Sequence, residues 1–192
     1  MTPLIAGLVL FLGAHSVRIF ADDWRTARIA AGGERAWKGI YSLLSIAGFI
    51  LIVYGYGQAR MTAPVLYTPP VWTRHVAALL MLPAFILFAA AYVKGTRIKA
   101  RAGHPMIAAV KTWAFAHLLS NGTLADVVLF GAFLVWAVLD YRASRRRDRA
   151  AGVTYAVGPI SRDFIAIGVG VVAWAIFAFW LHGPLIGVRP FP

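Results

Sequence analysis

His15 and His117 each follow an alanine near the middle of an apolar stretch long enough to cross a membrane. An ionisable side chain at that depth is costly to bury and is seldom there by accident. A neutral imidazole can hydrogen-bond to a neighbouring helix, or it can donate a ring-nitrogen lone pair to a metal. Two of them facing one object inside a helix bundle supply both axial ligands of a haem iron. The other three histidines fall elsewhere. His75 and His182 lie near the outer membrane boundary expected below and His104 near the inner one, where polar side chains meet headgroups.

The elements that must position His15 and His117 follow from composition. The 192-residue chain is 60% hydrophobic, its mean hydropathy is +0.73, and its apolar residues run in long blocks. A bilayer core of ~30 Å needs ~20 helical residues to cross it. The blocks Pro3–Phe20, Gly39–Gly57, Val71–Val93, Pro105–Ser120, Thr123–Tyr141 and Phe164–His182 meet or approach that length. The fourth is short and would lean on a thinned or protein-lined region. Outer-membrane strands would alternate polar and apolar residues, and these blocks do not. The sequence therefore predicts an all-α, polytopic bundle of six transmembrane helices in one domain covering residues 1–192.

A net charge of +12 could suggest nucleic acid, but its distribution points to a membrane. Arg25, Arg28, Arg35 and Lys38 follow the first span. Lys94, Arg97, Lys99 and Arg101 follow the third. Arg142, Arg145, Arg146, Arg147, Arg149 and Arg162 follow the fifth. The intervening side holds only Arg60, Arg74 and Arg189. Basic residues in alternate loops mark the cytoplasmic face, so both termini are expected outside and the location is the bacterial inner membrane. Arg145–Arg147 suits anionic headgroups of the inner leaflet. No aromatic stacking surface is interleaved with these charges, which argues against nucleic acid as a partner. The first span lacks a basic leader, and His15 and Arg18 interrupt the place of a cleavage site, so it is read as a retained helix. The chain has no cysteine, which excludes disulfides and thiolate ligation.

Local signals place the breaks. Thr68-Pro69-Pro70 interrupts the chain before the third span, and Pro83 is expected to kink that span. His104-Pro105 opens the fourth span with proline in the first turn. Asn121-Gly122 closes it, with Gly122 expected in the left-handed conformation. Thr123 to Asp126 reads as a capping box for the fifth span. Arg142–Asp163 reads as a long polar loop.

Depth brings the two histidines level. Counting inward from Leu4 puts His15 ~16 Å below the outer face. Counting outward from Pro105 puts His117 ~12 Å below the same face. Val110, Trp113, Ala114 and Asn121 share the helical face of His117, and Ala114 would leave room for a flat ring. Arg18 lies one turn inward of His15, and Lys111 lies ~9 Å inward of His117. Either cation could meet a haem propionate, and Arg18 could equally snorkel to headgroups.

These residues carry a resemblance. Gly13-Ala14-His15-Ser16, His104-Pro105, Trp113 through Gly122, and the run from Leu124 to Trp136 resemble the NnrU family over nearly the whole chain. Bacterial members of that family are associated with denitrification and nitric oxide metabolism. Its plant relatives are the plastid cis-zeta-carotene isomerases, which carry haem b. The resemblance implies haem b held by His15 and His117. The plant branch has a cysteine three residues before the second histidine. Ala114 stands there in this chain, so a switch to thiolate ligation has no residue to perform it.

Three readings remain open at this stage. One is a bis-histidine haem b protein for electron transfer or for handling nitric oxide. Another is a haem-dependent cis-trans isomerase of an apolar polyene, which calls for a lipid-open groove near the proline-bearing third span. The last is a haem-free transporter of a small anion or an assembly factor. Whether the chain is an enzyme, and whether it forms a homo-oligomer, is not written in the sequence.

Overall fold

A computed structural model describes residues 1–191. The helices are α1 (Thr2–Phe20), α2 (Asp22–Gly32), α3 (Glu34–Thr62), α4 (Trp72–Tyr92), α5 (Arg97–Ala102), α6 (Pro105–Ser120), α7 (Leu124–Ala150), α8 (Ser161–Ile176) and α9 (His182–Ile186). A π-helical segment, Phe177–Leu181, joins α8 to α9. The described residues contain no strand, only one isolated bridge between Val65 and Thr123. Five stretches are long and apolar enough to cross a bilayer: α1, α3, α4, α7 and the run Ser161–Ile186. The sixth expected span is α6, which has 16 residues. Large apolar side chains such as Leu43 (71% exposed), Leu79 (67%) and Phe164 (66%) face outward, as lipid contact requires.

The chain forms two compact units. Met1–Thr68 with Gly122–Asp140 makes the first, and Pro69–Asn121 with the residues from Tyr141 onward makes the second. In the first unit, α1 packs along α3. Lipid tails are as apolar as leucine, so helices in a bilayer associate through close van der Waals contact, which small residues permit. The buried residues of α3 are Gly48, Ile52, Gly55 and Ala59, spaced along one face. Leu4, Gly7 and Leu8 of α1 meet that seam. A Cβ on Gly7 would stand 2.6 Å from the Ile52 nitrogen, and one on Gly48 would stand 2.7 Å from the Phe11 nitrogen. Gly55 meets the Leu4 backbone at closer range still.

The start of α7 is tied to the segment after α3. Thr123 N–H and its hydroxyl both donate to Asp126 Oδ2, at 2.9 and 2.7 Å, and Asp126 N–H returns to Thr123 Oγ1 at 3.3 Å. This is the capping box expected from sequence. Tyr56 adds a hydroxyl donor to Asp126 Oδ1 at 2.6 Å. Leu66 N–H and Tyr67 N–H both donate to Gly122 O, and Leu124 N–H donates to Pro64 O. Gly122 is not left-handed, which corrects the expectation. A side chain is excluded there because a Cβ would collide with the Tyr67 carbonyl.

In the second unit, alanines let α4 meet α6 and α8. Ala77, Ala84 and Ala90 of α4, and Ala109, Ala114 and Ala116 of α6, are buried. Gly170 of α8 lies against the backbone of Ile86, where a Cβ would be 2.6 Å from its Cα. Trp174 Nε1 donates to Ala78 O at 3.1 Å. The α4 helix continues through Pro83 without interruption.

Two expected loops are largely helical. The residues after the first span form α2, with Asp22 and Asp23 in its first turn where the helix dipole favours them. The predicted polar loop Arg142–Asp163 begins nine residues late, because α7 continues to Ala150. No breaker interrupts it before Gly152, which has φ +61°. Asp148 anchors this basic end: its Oδ2 lies 2.9 Å from His104 Nε2 and accepts from Tyr155 OH at 2.7 Å. Arg145 stands 3.8 Å from the same oxygen. Burial, and then the bond to Asp148, push the Tyr155 hydroxyl up to about 12, so it stays a donor at neutral pH.

The seam yields a stability prediction. Gly48→Ala should cost about 1–3 kcal/mol, read as a lower melting temperature in detergent, because backbone rather than a flexible side chain occupies the space. Gly57→Ala, with nothing within 4 Å of its added methyl, should be neutral or stabilising by up to about 1 kcal/mol. Equal melts for both variants would mean that the seam tolerates a side chain.

Candidate functional site

In the first unit, His15 sits on α1 three residues before Arg18. Its Nδ1 is 2.7 Å from the carbonyl oxygen of Phe11, one turn earlier. A carbonyl can only accept, so Nδ1 carries the proton and Nε2 carries the lone pair. The lone pair then lies on the nitrogen farther from the backbone, the tautomer that metal-bound histidines adopt when a backbone carbonyl holds the other ring nitrogen. The ring is half-buried and framed by aromatics. Phe11 stacks on it at 4.2 Å between centroids, Tyr41 tilts at 5.1 Å, and Trp136 meets it edge-on at 6.0 Å. Phe49 and Phe133 in turn pack on Phe11.

Trp136 contributes a further feature. Its Nε1–H is buried with no hydrogen-bond partner among the described residues. An orphaned donor costs about 1–3 kcal/mol, so it invites an acceptor. Arg18 is mostly exposed and lies 3.8 Å from Asp22 Oδ1, so its charge is shared with the start of α2.

In the second unit, α6 carries Lys111, Trp113, Ala114, His117 and Asn121 at its end. His117 repeats the arrangement of His15: Nδ1 lies 2.9 Å from Trp113 O, which again assigns the lone pair to Nε2. The Trp113 ring tilts against it at 5.5 Å. Asn121 Nδ2 donates to His117 O at 2.9 Å and to Ser120 Oγ at 3.1 Å, closing the last turn of α6. Ala114 is fully buried, so its methyl already has packing neighbours. Lys111 Nζ stands 4.8 Å from the Tyr141 ring, a cation–π contact. An apolar cavity of about 240 Å³ opens between α4 and α6. Met81, Phe85, Phe88, Val110 and Trp113 line it.

The structure thus places Arg18 with His15, and it places Lys111, Trp113, Ala114 and Asn121 with His117. Tyr41 and Trp136 escaped the sequence reading, because both reach His15 from other helices. Only the mid-span position of a tryptophan could have drawn attention to Trp136.

The donor chemistry fits haem. Each imidazole has its proton fixed on the backbone side and its lone pair on the outer nitrogen. The orphaned indole N–H beside His15 suits a cofactor that carries acceptor oxygens. Among the described residues no three His, Asp or Glu side chains gather as a metal-ion cage.

A search among curated proteins and among solved structures gives no match. The model of one family, described as NnrU protein, matches residues 3–190. With that match over nearly its full length, the chain belongs to the NnrU family.

Proposed function

We propose that this protein is a bacterial inner-membrane haem b protein, with His15 and His117 as the residues that would hold the haem, and a role in nitric oxide metabolism or electron transfer. The observation that carries the reading is the shared state of the two mid-span histidines. Both donate Nδ1–H to the carbonyl four residues earlier, which puts the ring lone pair on Nε2. Bound haem would supply one-electron chemistry and a site for a diatomic gas at iron. The chain's own residues do the rest. The carbonyls of Phe11 and Trp113 orient the imidazoles, and Phe11, Tyr41 and Trp136 pack around the His15 ring.

A visible spectrum of the detergent-purified protein tests this directly. A Soret band with sharp reduced α and β bands is expected. His15→Ala and His117→Ala should each lose or loosen the haem, while His75→Ala and His182→Ala should keep it. Full retention in both of the first two variants would sink the ligand assignment. A colourless protein, expressed with ample haem, would instead bring the transporter or assembly reading forward.

The apolar cavity favours a second reading, a haem-dependent cis-trans isomerase of a polyene. It lies beside the proline-bearing α4 and ends at Trp113, one turn before His117. Incubation of the haem-loaded protein with a cis-carotene should then change its isomer composition, and an unchanged composition removes this reading.

We also propose six spans with both termini outside, with α6 as the short span. The absence of native cysteine makes this simple to test. Single cysteines placed at the exposed positions Thr68 and Ala150 should label from opposite sides of intact membrane vesicles. Labelling from one side would overturn the arrangement.

A further inference from the structure

Arg97 and Arg101 lie one turn apart on α5 and line a cavity of about 300 Å³ in the second unit. Ile160, Phe164 and Ile167 form its apolar wall, at helical spacing along the start of α8. Asp163 completes it. Its Oδ1 accepts from Ile98 N–H at 3.2 Å, which ties α5, the helix that carries both arginines, to α8. Asp163 is only 8% exposed, and its Oδ2 has no hydrogen-bond partner among the described residues. Neither arginine forms an ion pair among them.

We propose that this cavity binds the headgroup of one anionic glycerophospholipid, its phosphodiester on Arg97 and Arg101 and an acyl chain along Phe164 and Ile167. Two guanidinium groups and one carboxylate leave a single net positive charge, which one phosphodiester monoanion neutralises. Guanidinium groups match phosphate oxygens in geometry as well as charge. The apolar wall decides between a lipid and a free anion. Ile160 (52% exposed), Phe164 (66%) and Ile167 (38%) continue the cavity onto the outer face of a membrane-length helix, where only a chain-bearing ligand gains contact. The unsatisfied Asp163 oxygen is the acceptor that a hydroxyl-bearing headgroup such as phosphatidylglycerol would satisfy. The inference rests on the membrane setting and is independent of haem.

Native mass spectrometry of the delipidated full-length protein tests it. Phosphatidylglycerol and phosphatidylcholine of identical acyl chains are the probes, and inorganic phosphate is the competitor. The wild type should bind one phosphatidylglycerol per chain and prefer it to phosphatidylcholine, and phosphate should not displace it. Arg97→Gln with Arg101→Gln should weaken that binding about thirtyfold. Arg35→Gln with Arg149→Gln, at exposed basic positions that do not line the cavity, should leave it unchanged. Should the double variant not fold, Arg97→Gln alone and the wild-type lipid preference carry the test. Equal binding of the two lipids, undiminished binding by the arginine variants, or a loss matched by the control variant would each overturn the site. Displacement by phosphate would reassign it to a free anion. The Soret band of the same samples should not change, so failure here is separable from failure of the haem reading.

Discussion

The constraint behind this structure is that helices in lipid gain little from apolar burial and must associate by close contact. A leucine is as well accommodated by acyl chains as by another helix, so the seams are made where backbone can approach backbone. Gly7, Gly48 and Gly55 provide that approach between α1 and α3, and Gly170 provides it between α4 and α8. The large side chains that would build a soluble core instead face outward. His15 is carried on α1, so the α1–α3 seam also holds the ring that the proposed chemistry uses.

A second consequence of the same medium is the treatment of polar groups. Each needs an internal partner where water is scarce. The imidazoles of His15 and His117 each donate to a carbonyl of their own helix. Asp126 collects donors from Tyr56 and Thr123, and Asp148 collects them from Tyr155 and the basic end of α7. Against that background four buried atoms lack a hydrogen-bond partner among the described residues, and two of them, Trp136 Nε1 and Asp163 Oδ2, adjoin the two sites proposed above.

Much of the fold was legible because hydropathy and breakers are local. The long apolar blocks became α1, α3, α4, α7 and the run from Ser161, and Pro105 opens α6 as its first-turn position implied. The Thr123–Asp126 box formed as its spacing required. Where local reasoning failed, distant contacts decided. Charge suggested a loop after Tyr141, but Asp148 is held by His104 and Tyr155, and the helix continues. Gly122 suggested a left-handed cap, but its small size serves the Tyr67 carbonyl.

Local sequence carries the apolar setting, the helical class, the family and the positions of His15 and His117 within their apolar stretches. These follow from block length, composition and short motifs, which need no partner in space. The tertiary structure alone decided which face of each span is seam and which meets lipid, since Ile52 and its exposed neighbour Val53 are equally apolar. It also decided that Tyr41 and Trp136 frame His15, and that Asp163 docks α5 so that Arg97 and Arg101 share one cavity. Those pairings join residues far apart in the chain, and no periodicity along a single helix encodes which helix will lie beside it.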